Sequence, residues 1–512
     1  MRIWASQKDD QEEMRVGKVG AVIAVSPKQV DKVLTSQAWY HGLMPRKEVE
    51  DMLKVPGDYL VRKTTVARQV AYCISVRHTT DVKHIPVVYK DGSWTLKDVR
   101  LTFFESMHCI PERGAWNFAT LFSGSLLLRI THKRIAKNKT TKPMLRLSAC
   151  VEVYLQLSDE AVLDGIMGVG KVTKPSLKEL IDTLVQTAKP IPPSGVVLKN
   201  PFPRPDYYFL HESITILKKL GRRFCLSLHF TSFASVSVGF EDYSFLDGEF
   251  GEVNMGRLRQ KTGEEIDVAV KMLRSTRIKK AQLSAFFEEA KLMRRFDHPN
   301  IVRFYGVAPQ EEPIMIILEL AVGGSLKSYC KTHSDIPSTK LLQFATDGAR
   351  GMCYLAARQV IHRDIAARNC LLGQNDELKI SDFGLSIADK TEMKMDKLKS
   401  VPIKWLAPET LRQGIFSTKT DVWSYGVLLW EIFSHCSSDP FPGETNAKAK
   451  EHILSDQPPM SAPPNSPPIV QEVMDVCFVK NPEERADFVK ILKLLSPKEQ
   501  PPPGPLAAFQ TY

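Results

Sequence analysis

The sequence predicts an α+β chain of several domains, on three observations. Its 512 residues exceed what a single hydrophobic core usually organises. Short apolar strands such as "EIDVAVKML" (265–273) alternate with segments of helical spacing such as "LSAFFEEAKLMRRF" (283–296). A hydrophobic fraction of 43% beside a charged fraction of 25% is ordinary for folded, soluble protein.

Composition also narrows the function classes. Nine cysteines without paired spacing argue against a disulfide framework or a zinc cluster and predict buried free thiols in a reducing compartment. The start "MRIWASQKDD" lacks the apolar core of a secretory leader, and Arg2 excludes myristoylation. Two apolar runs, 115–130 and 224–240, fall short of the roughly 20 residues of a spanning helix and carry many Ser and Thr residues, so no transmembrane segment is expected. Peripheral recruitment to a membrane stays open. The formal charge of +11 owes much to "RITHKRIAKNKTTKPMLR" (129–146), which reads as a solvated loop. No nucleic-acid motif accompanies it, so no nucleic-acid partner is expected.

The first element in chain order, after an N-terminal extension (1–38), is "WYHGLMPRKEVEDML" (39–53) followed by "GDYLVRKT" (57–64). Arg62 lies in an otherwise apolar strand, where a charge is costly unless paired, and Val61 should face the opposite side of the sheet. A guanidinium there suits bidentate capture of a dianionic phosphate, a geometry lysine does not match. The two stretches resemble the opening of an SH2 domain, a central antiparallel sheet flanked by two helices. The resemblance implies phosphotyrosine contacts from Arg62, Arg46, Thr64 and His84. For His84 a packed strand histidine is the competing reading.

This pattern runs to "KDGSWTLKDV" (90–99), resumes at "KPSLKELIDTLVQ" (174–186) and closes with "GVVLKNP" (195–201), which gives a domain at 39–203 with an insertion at about 100–173. A similar break follows. "HESITILKKLG" (211–221) reads as the strand leading into a glycine-rich phosphate loop, yet "LDGEFGEV" (246–253) supplies only the loop's end. Joining Gly221 to Asp247 gives G-x-G-x-x-G-x-V from Gly221, Gly248, Gly251 and Val253, the backbone that would cover a nucleotide's phosphates. Residues 222–246 are thus either an artefact of splicing or gene assembly, or a genuine inserted hairpin.

The second half carries "VIHRDIAARNCLL" (360–372) and "ISDFGLS" (380–386). Together they resemble the catalytic and metal-binding loops of the protein kinases, a bilobal fold expected over 204–496. Asp364 is placed to accept a hydroxyl proton, with Asn369 and Asp382 as oxygen ligands for Mg2+ on the phosphates of ATP. Lys271 is expected to pair the α- and β-phosphates, and Glu289 is preferred over Glu288 as its ion-pair partner because Phe286, Ala290 and Met293 share its face. The resemblance lines the base pocket with Val253, Ala269, Leu318, Leu372 and the hinge residues Glu319 to Ala321. Ala366, with Arg368 at the fourth place after Asp364, and the shelf "VPIKWLAPET" (401–410) with Pro402 and Trp405 are the tyrosine-kinase pattern. Glu409 is expected to pair with Arg485, and Asp421 to anchor the catalytic loop.

An SH2 domain directly before these motifs resembles the Fes/Fer family of non-receptor tyrosine kinases, in a short form without the F-BAR region. The resemblance implies a cytoplasmic enzyme that takes ATP and Mg2+, phosphorylates protein tyrosine and docks on tyrosine-phosphorylated proteins. The alternative is a phosphotyrosine-binding adaptor with a catalytically impaired kinase domain. One departure stands out: "DFGLSIADKTEMKMDKLKSVPIKW" contains no tyrosine, with Met393 near the family's autophosphorylation site. The Pro-rich tail (497–512) holds a P-x-x-P and is expected to be disordered.

Overall fold

The computed structural model describes residues 32–66, 69–90, 92–96, 129–130, 153–154, 172–192, 194–221, 252–273, 280–333, 335–395 and 402–502. The segment 222–246, Gly248, Gly251, most of 100–173, nearly all of both apolar runs, the start of the chain and the last ten residues lie outside them. By contact the chain divides into two units, Met1–His41 with Val49–Pro203, and Gly42–Glu48 with Arg204–Tyr512.

The sheet of the first unit shows period-2 alternation most plainly in "QVAYCISVR" (69–77). It comprises β1 (Tyr40–Leu43), β2 (Asp58–Val66), β3 (Gln69–Arg77), β4 (Val82–Lys90), β5 (Ser93–Leu96) and β6 (Thr173–Lys174), hydrogen-bonded in that order. Asn200–Pro201 adds a short parallel pairing to β2. Helix α1 (Arg46–Met52) lies between β1 and β2 in the chain, and α2 (Leu177–Thr187) follows β6. The Ser176 hydroxyl caps α2 by accepting from the Glu179 N–H, and Leu177, Leu180, Ile181 and Leu184 form its buried stripe. That stripe joins Tyr59, Val61, Ile74 and Val76 of the sheet in one core. Val61 therefore faces the core while Arg62, its neighbour, takes the other side. The strands on either side of the first interruption abut, with Trp94 opposite Lys174.

The second unit begins with a five-stranded antiparallel sheet in the order β7 (Ile214–Gly221), β8 (Glu252–Arg259), β9 (Glu265–Leu273), β11 (Ile314–Glu319), β10 (Phe304–Ala308). Helix α3 (Lys280–Met293) falls between β9 and β10 in the chain. A larger helical part follows, centred on α5 (Ser338–Ala357) and α7 (Thr418–Phe433), with the short helix α4 (Leu326–Thr332) preceding α5. Nearly every residue of α7 is buried, so its start must satisfy its own N–H groups, and a capping box between Ser417 and Thr420 does so. A small sheet of β12 (Gly324–Ser325), β13 (Cys370–Leu372) and β14 (Leu378–Ile380) lies beside these helices. Further along, β15 (Glu392–Lys394) pairs with β16 (Ile415–Ser417) just after α6 (Pro408–Gln413). This is the expected α+β architecture, an SH2 domain followed by a kinase fold. No described helix is long and apolar enough to cross a membrane.

Candidate active site and phosphotyrosine pocket

Strand register places the residues expected to meet a nucleotide. On β9, Lys271 lies between Val253 of β8 and Ile316 of β11, and Ala269 lies opposite Leu318. Ala269 and Lys271, two residues apart, share one face. The Lys271 ammonium donates to both carboxylate oxygens of Glu289 at 2.7 Å, and both residues are buried. Glu288, one residue earlier on α3, is exposed. At the edge of the sheet Gly221 pairs with Val253, so the strand that ends at the first glycine runs beside the strand that follows the last. Gly248 and Gly251 themselves are outside the described residues.

The segment after β11 leads to Leu372. The Gly323 N–H donates to the Leu372 carbonyl at 3.0 Å, and a Cβ on Gly323 would fall 2.7 Å from that of Leu372, so only glycine allows the approach. Leu372 is fully buried, while Leu318, Glu319 and Ala321 are half-buried. The N–H of Glu319 is taken by the Arg303 carbonyl (2.9 Å), and the Ala321 carbonyl accepts from Gly324 (3.1 Å).

The catalytic loop is fixed from below by α7. Asp421 accepts from the backbone N–H groups of His362 (2.7 Å) and Arg363 (2.9 Å). Burial nevertheless pushes its carboxyl up to about 7 against those two bonds. His362, also fully buried, is held down to about 4 by the same desolvation, and its Nε2 lies 3.1 Å from the Ser381 carbonyl. Above this base, Asn369 Nδ2 donates to the Asp364 carboxylate (2.7 Å) and carbonyl (2.8 Å), and Arg368 bonds the other carboxylate oxygen. Ser381, next to Asp382, bonds the Asn369 carbonyl through its N–H (2.9 Å) and its hydroxyl (2.8 Å). Asn369 and Asp382 therefore flank one pair of hydrogen bonds. Asp382 adopts φ +63°, and Phe383 packs against Phe296 and His362, each ring pair 5.1 Å apart.

These groups fit a magnesium site. The amide nitrogen of Asn369 is committed to Asp364, which leaves its oxygen as the ligand end, and Asp382 supplies carboxylate oxygen, the hard donor Mg2+ prefers. Among the described residues no group of three or more His, Cys, Asp or Glu forms a metal cage. A site completed by substrate phosphates matches that sparse donor set.

Side-chain and strand contacts hold the described residues 383–395 that follow Asp382. Arg363 donates to the Leu385 carbonyl (2.9 Å) and the Met395 sulfur, and its guanidinium lies 4.5 Å from the centre of the Phe416 ring. Met393 pairs with Phe416 across β15 and β16, and Met395 bonds the Gly414 carbonyl (2.9 Å). Gly414 sits at φ +71°, and a Cβ there would fall 2.1 Å from the Met395 carbonyl oxygen. Glu409 and Arg485 form a bidentate pair at 2.6 and 3.0 Å.

In the first unit, Arg62 is buried on the face away from the core, and its Nε donates to Ser75 Oγ at 3.3 Å. Ser75 Oγ lies 2.8 Å from His84 Nδ1, and His84 Nε2 lies 3.3 Å from Glu50. Thr64 is half-buried two residues beyond Arg62; Arg46, exposed at the start of α1, is assigned to the second unit. Sequence reasoning named Arg62 and His84 but missed Ser75 and Glu50. Strand period would have found Ser75, since it lies two residues from Cys73, the partner of Arg62. Glu50 is four residues from Arg46 on α1, one helical turn away.

Two family models match the chain. The SH2 domain model matches residues 39–108, and the model for protein tyrosine and serine/threonine kinases matches 244–495. The chain is 32% identical to human tyrosine-protein kinase Fer over 469 residues, covering 91% of this chain but 44% of that protein. The transforming protein Fps of Fujinami sarcoma virus is 30% identical over 467 residues, 90% of this chain and 41% of its own. The chain thus spans under half the length of these two relatives. Fer-related kinase 1 of Caenorhabditis elegans is 32% identical over 465 residues, 90% of this chain and 94% of that protein. With an SH2 domain, a kinase fold and a relative matched over nearly its whole length, the chain belongs to the Fes/Fer family of tyrosine kinases.

Proposed function

We propose that this protein transfers the γ-phosphate of ATP to tyrosine side chains of proteins and docks on tyrosine-phosphorylated partners through its SH2 domain. The observation that carries the reading is the joint presence of the buried Lys271–Glu289 pair and the Asp364–Asn369 hydrogen bond beside Asp382. In this reading Lys271 positions the α- and β-phosphates of ATP, the hinge from Glu319 to Ala321 meets the base, and Val253, Ala269, Leu318 and Leu372 enclose it. Asn369 and Asp382 would hold Mg2+, which would neutralise charge on the phosphates of ATP. Asp364, with one oxygen bonded by Asn369 and the other by Arg368, orients the tyrosine hydroxyl and accepts its proton. Trp405 and Pro402 form the shelf for the aromatic ring. Arg62, with Ser75 and His84 beside it and Thr64 and Arg46 nearby in the chain, takes the phosphate of a docked phosphotyrosine. We place the enzyme in the cytoplasm.

The test is ATP-dependent tyrosine phosphorylation by the purified protein, with and without residues 222–246, beside an Asp364→Asn control. Transfer well above the control supports the reading. Activity equal to the control in both forms refutes it and leaves the adaptor alternative.

A further inference from the structure

The sequence reading assigned no role to Glu431, a lone acid in the apolar run "YGVLLWEIF" of α7. It is 1% exposed, and burial raises its carboxyl above the usual range. A buried carboxylate is costly unless its hydrogen bonds are made, so its partners indicate its use. One oxygen, Oε2, accepts two N–H groups from different segments: the backbone of Ala367 in the catalytic loop (2.9 Å) and the indole nitrogen of Trp405 in the substrate shelf (3.0 Å). The indole is held on its face as well, where the Arg368 guanidinium sits 4.5 Å from the ring centre. Arg368 in turn bonds Asp364. The Trp405 carbonyl is fixed to the same helix by the Ser424 hydroxyl at 2.8 Å.

We propose that Glu431 is a positioning residue that fastens the tyrosine shelf to the catalytic loop, so that the surface holding the substrate ring and the carboxylate receiving its proton keep one fixed separation. The proposal rests on the tyrosine-kinase reading and deepens it. The chemical logic is one of reach. A phenol places its hydroxyl at the far end of a rigid ring, so the ring's support and the base must be spaced for that length. A misplacement of about 1 Å in such a site costs on the order of 100-fold in rate. Glu431, Ala367 and Trp405 are separate from Lys271, the hinge and the residues that enclose the base, so loss of this link should weaken use of the protein substrate and leave nucleotide handling intact. Glu431→Gln keeps an oxygen able to accept both N–H groups, whereas Glu431→Leu keeps none. Trp405→Phe removes the indole donor but leaves a ring face for Arg368.

The experiment measures steady-state kinetics of the full chain with a tyrosine peptide, together with ATP hydrolysis without peptide. Trp405→Phe and Glu431→Leu are expected to lower kcat/KM for the peptide by about 30-fold, while the KM for ATP and the rate of ATP hydrolysis stay within about threefold of wild type. Glu431→Gln is expected to remain within about threefold throughout. If Glu431→Leu does not fold, Glu431→Met, which likewise accepts neither N–H group, decides in its place. Peptide kinetics like wild type in Trp405→Phe, or a proportional loss of peptide transfer and ATP hydrolysis, overturns the proposal. Failure of the tyrosine-kinase reading looks different: the wild-type chain itself then shows no preference for tyrosine over serine peptides.

Discussion

Replacing Glu289 by Gln removes the charge from one member of a pair whose side chains are 8% and 7% exposed. In water such a change would be nearly silent, but here the buried Lys271 ammonium keeps its charge and faces an amide where the Glu289 carboxylate stood. Breaking a buried pair from one side costs about 3–5 kcal/mol, and the retained amide oxygen puts Glu289→Gln near the lower end. If the pair holds Lys271 in place for the phosphates, about 3 kcal/mol appears as a loss of roughly 100-fold in kcat/KM for ATP. Glu288→Gln, on the exposed neighbour, should stay within about threefold of wild type, as surface charges contribute little. The assay is peptide phosphorylation at varied ATP, run beside thermal unfolding of the same preparations. A purely structural pair gives a different pattern. The same energy then lowers Tm by about 6–12 °C, and kcat/KM at temperatures where the variant is folded is unchanged. That outcome, or equal damage from Glu288→Gln, refutes the assignment.

Arg62→Lys loses the planar fork and should weaken binding of a phosphotyrosine peptide by about 10- to 100-fold in a calorimetric titration; a change under threefold counts against the pocket. Phosphatase treatment should not abolish activity through the tyrosine-free segment 382–405, whereas Gly414→Ala should lower activity at least tenfold by displacing Met395; a fully active Gly414→Ala refutes a role for the Arg363–Met395–Gly414 contacts. His362 has its folded pKa depressed to about 4, so the stability it confers is complete above about pH 6.5 and is lost as pH falls toward 4. Asp421, raised to about 7, acts with the opposite sign over that range, since acid relieves its buried charge. Urea unfolding of His362→Gln should therefore show the variant gaining on wild type by up to about 3 kcal/mol between pH 6.5 and 4, and a pH-independent difference contradicts this.

The linear motifs made much of the site legible. Asp364, Asn369 and Asp382 sit in contiguous stretches whose spacing follows from local loop geometry, and Lys271 lies in a strand of plain alternation. What escaped notice joins distant parts of the chain. Glu431 meets Ala367 and Trp405 only because α7 passes beneath both, and no local pattern records that crossing. Met395 looked like one more residue in a polar segment, yet tertiary folding brings it against Arg363 and Gly414. Ser75 was within reach of strand period once Arg62 was paired with Cys73, whereas Glu50 is ordinary in its own helix and informative only beside His84. The choice between Glu288 and Glu289 was readable because helical period alone separates a buried face from a wet one.

The pairing of Gly221 with Val253 has a consequence for how this position evolves. Since both ends of the interrupted turn are already clamped by the β7–β8 ladder, a longer connection adds only closure entropy. Linking the ends by roughly 30 residues instead of about six raises that cost by about 1.4 kcal/mol, a small fraction of a domain's stability. A fold this indifferent to length does not defend the turn against extra sequence. In the proposed reading the turn matters for its contact with the phosphates of ATP, so an insertion there would register in catalytic rate more than in stability.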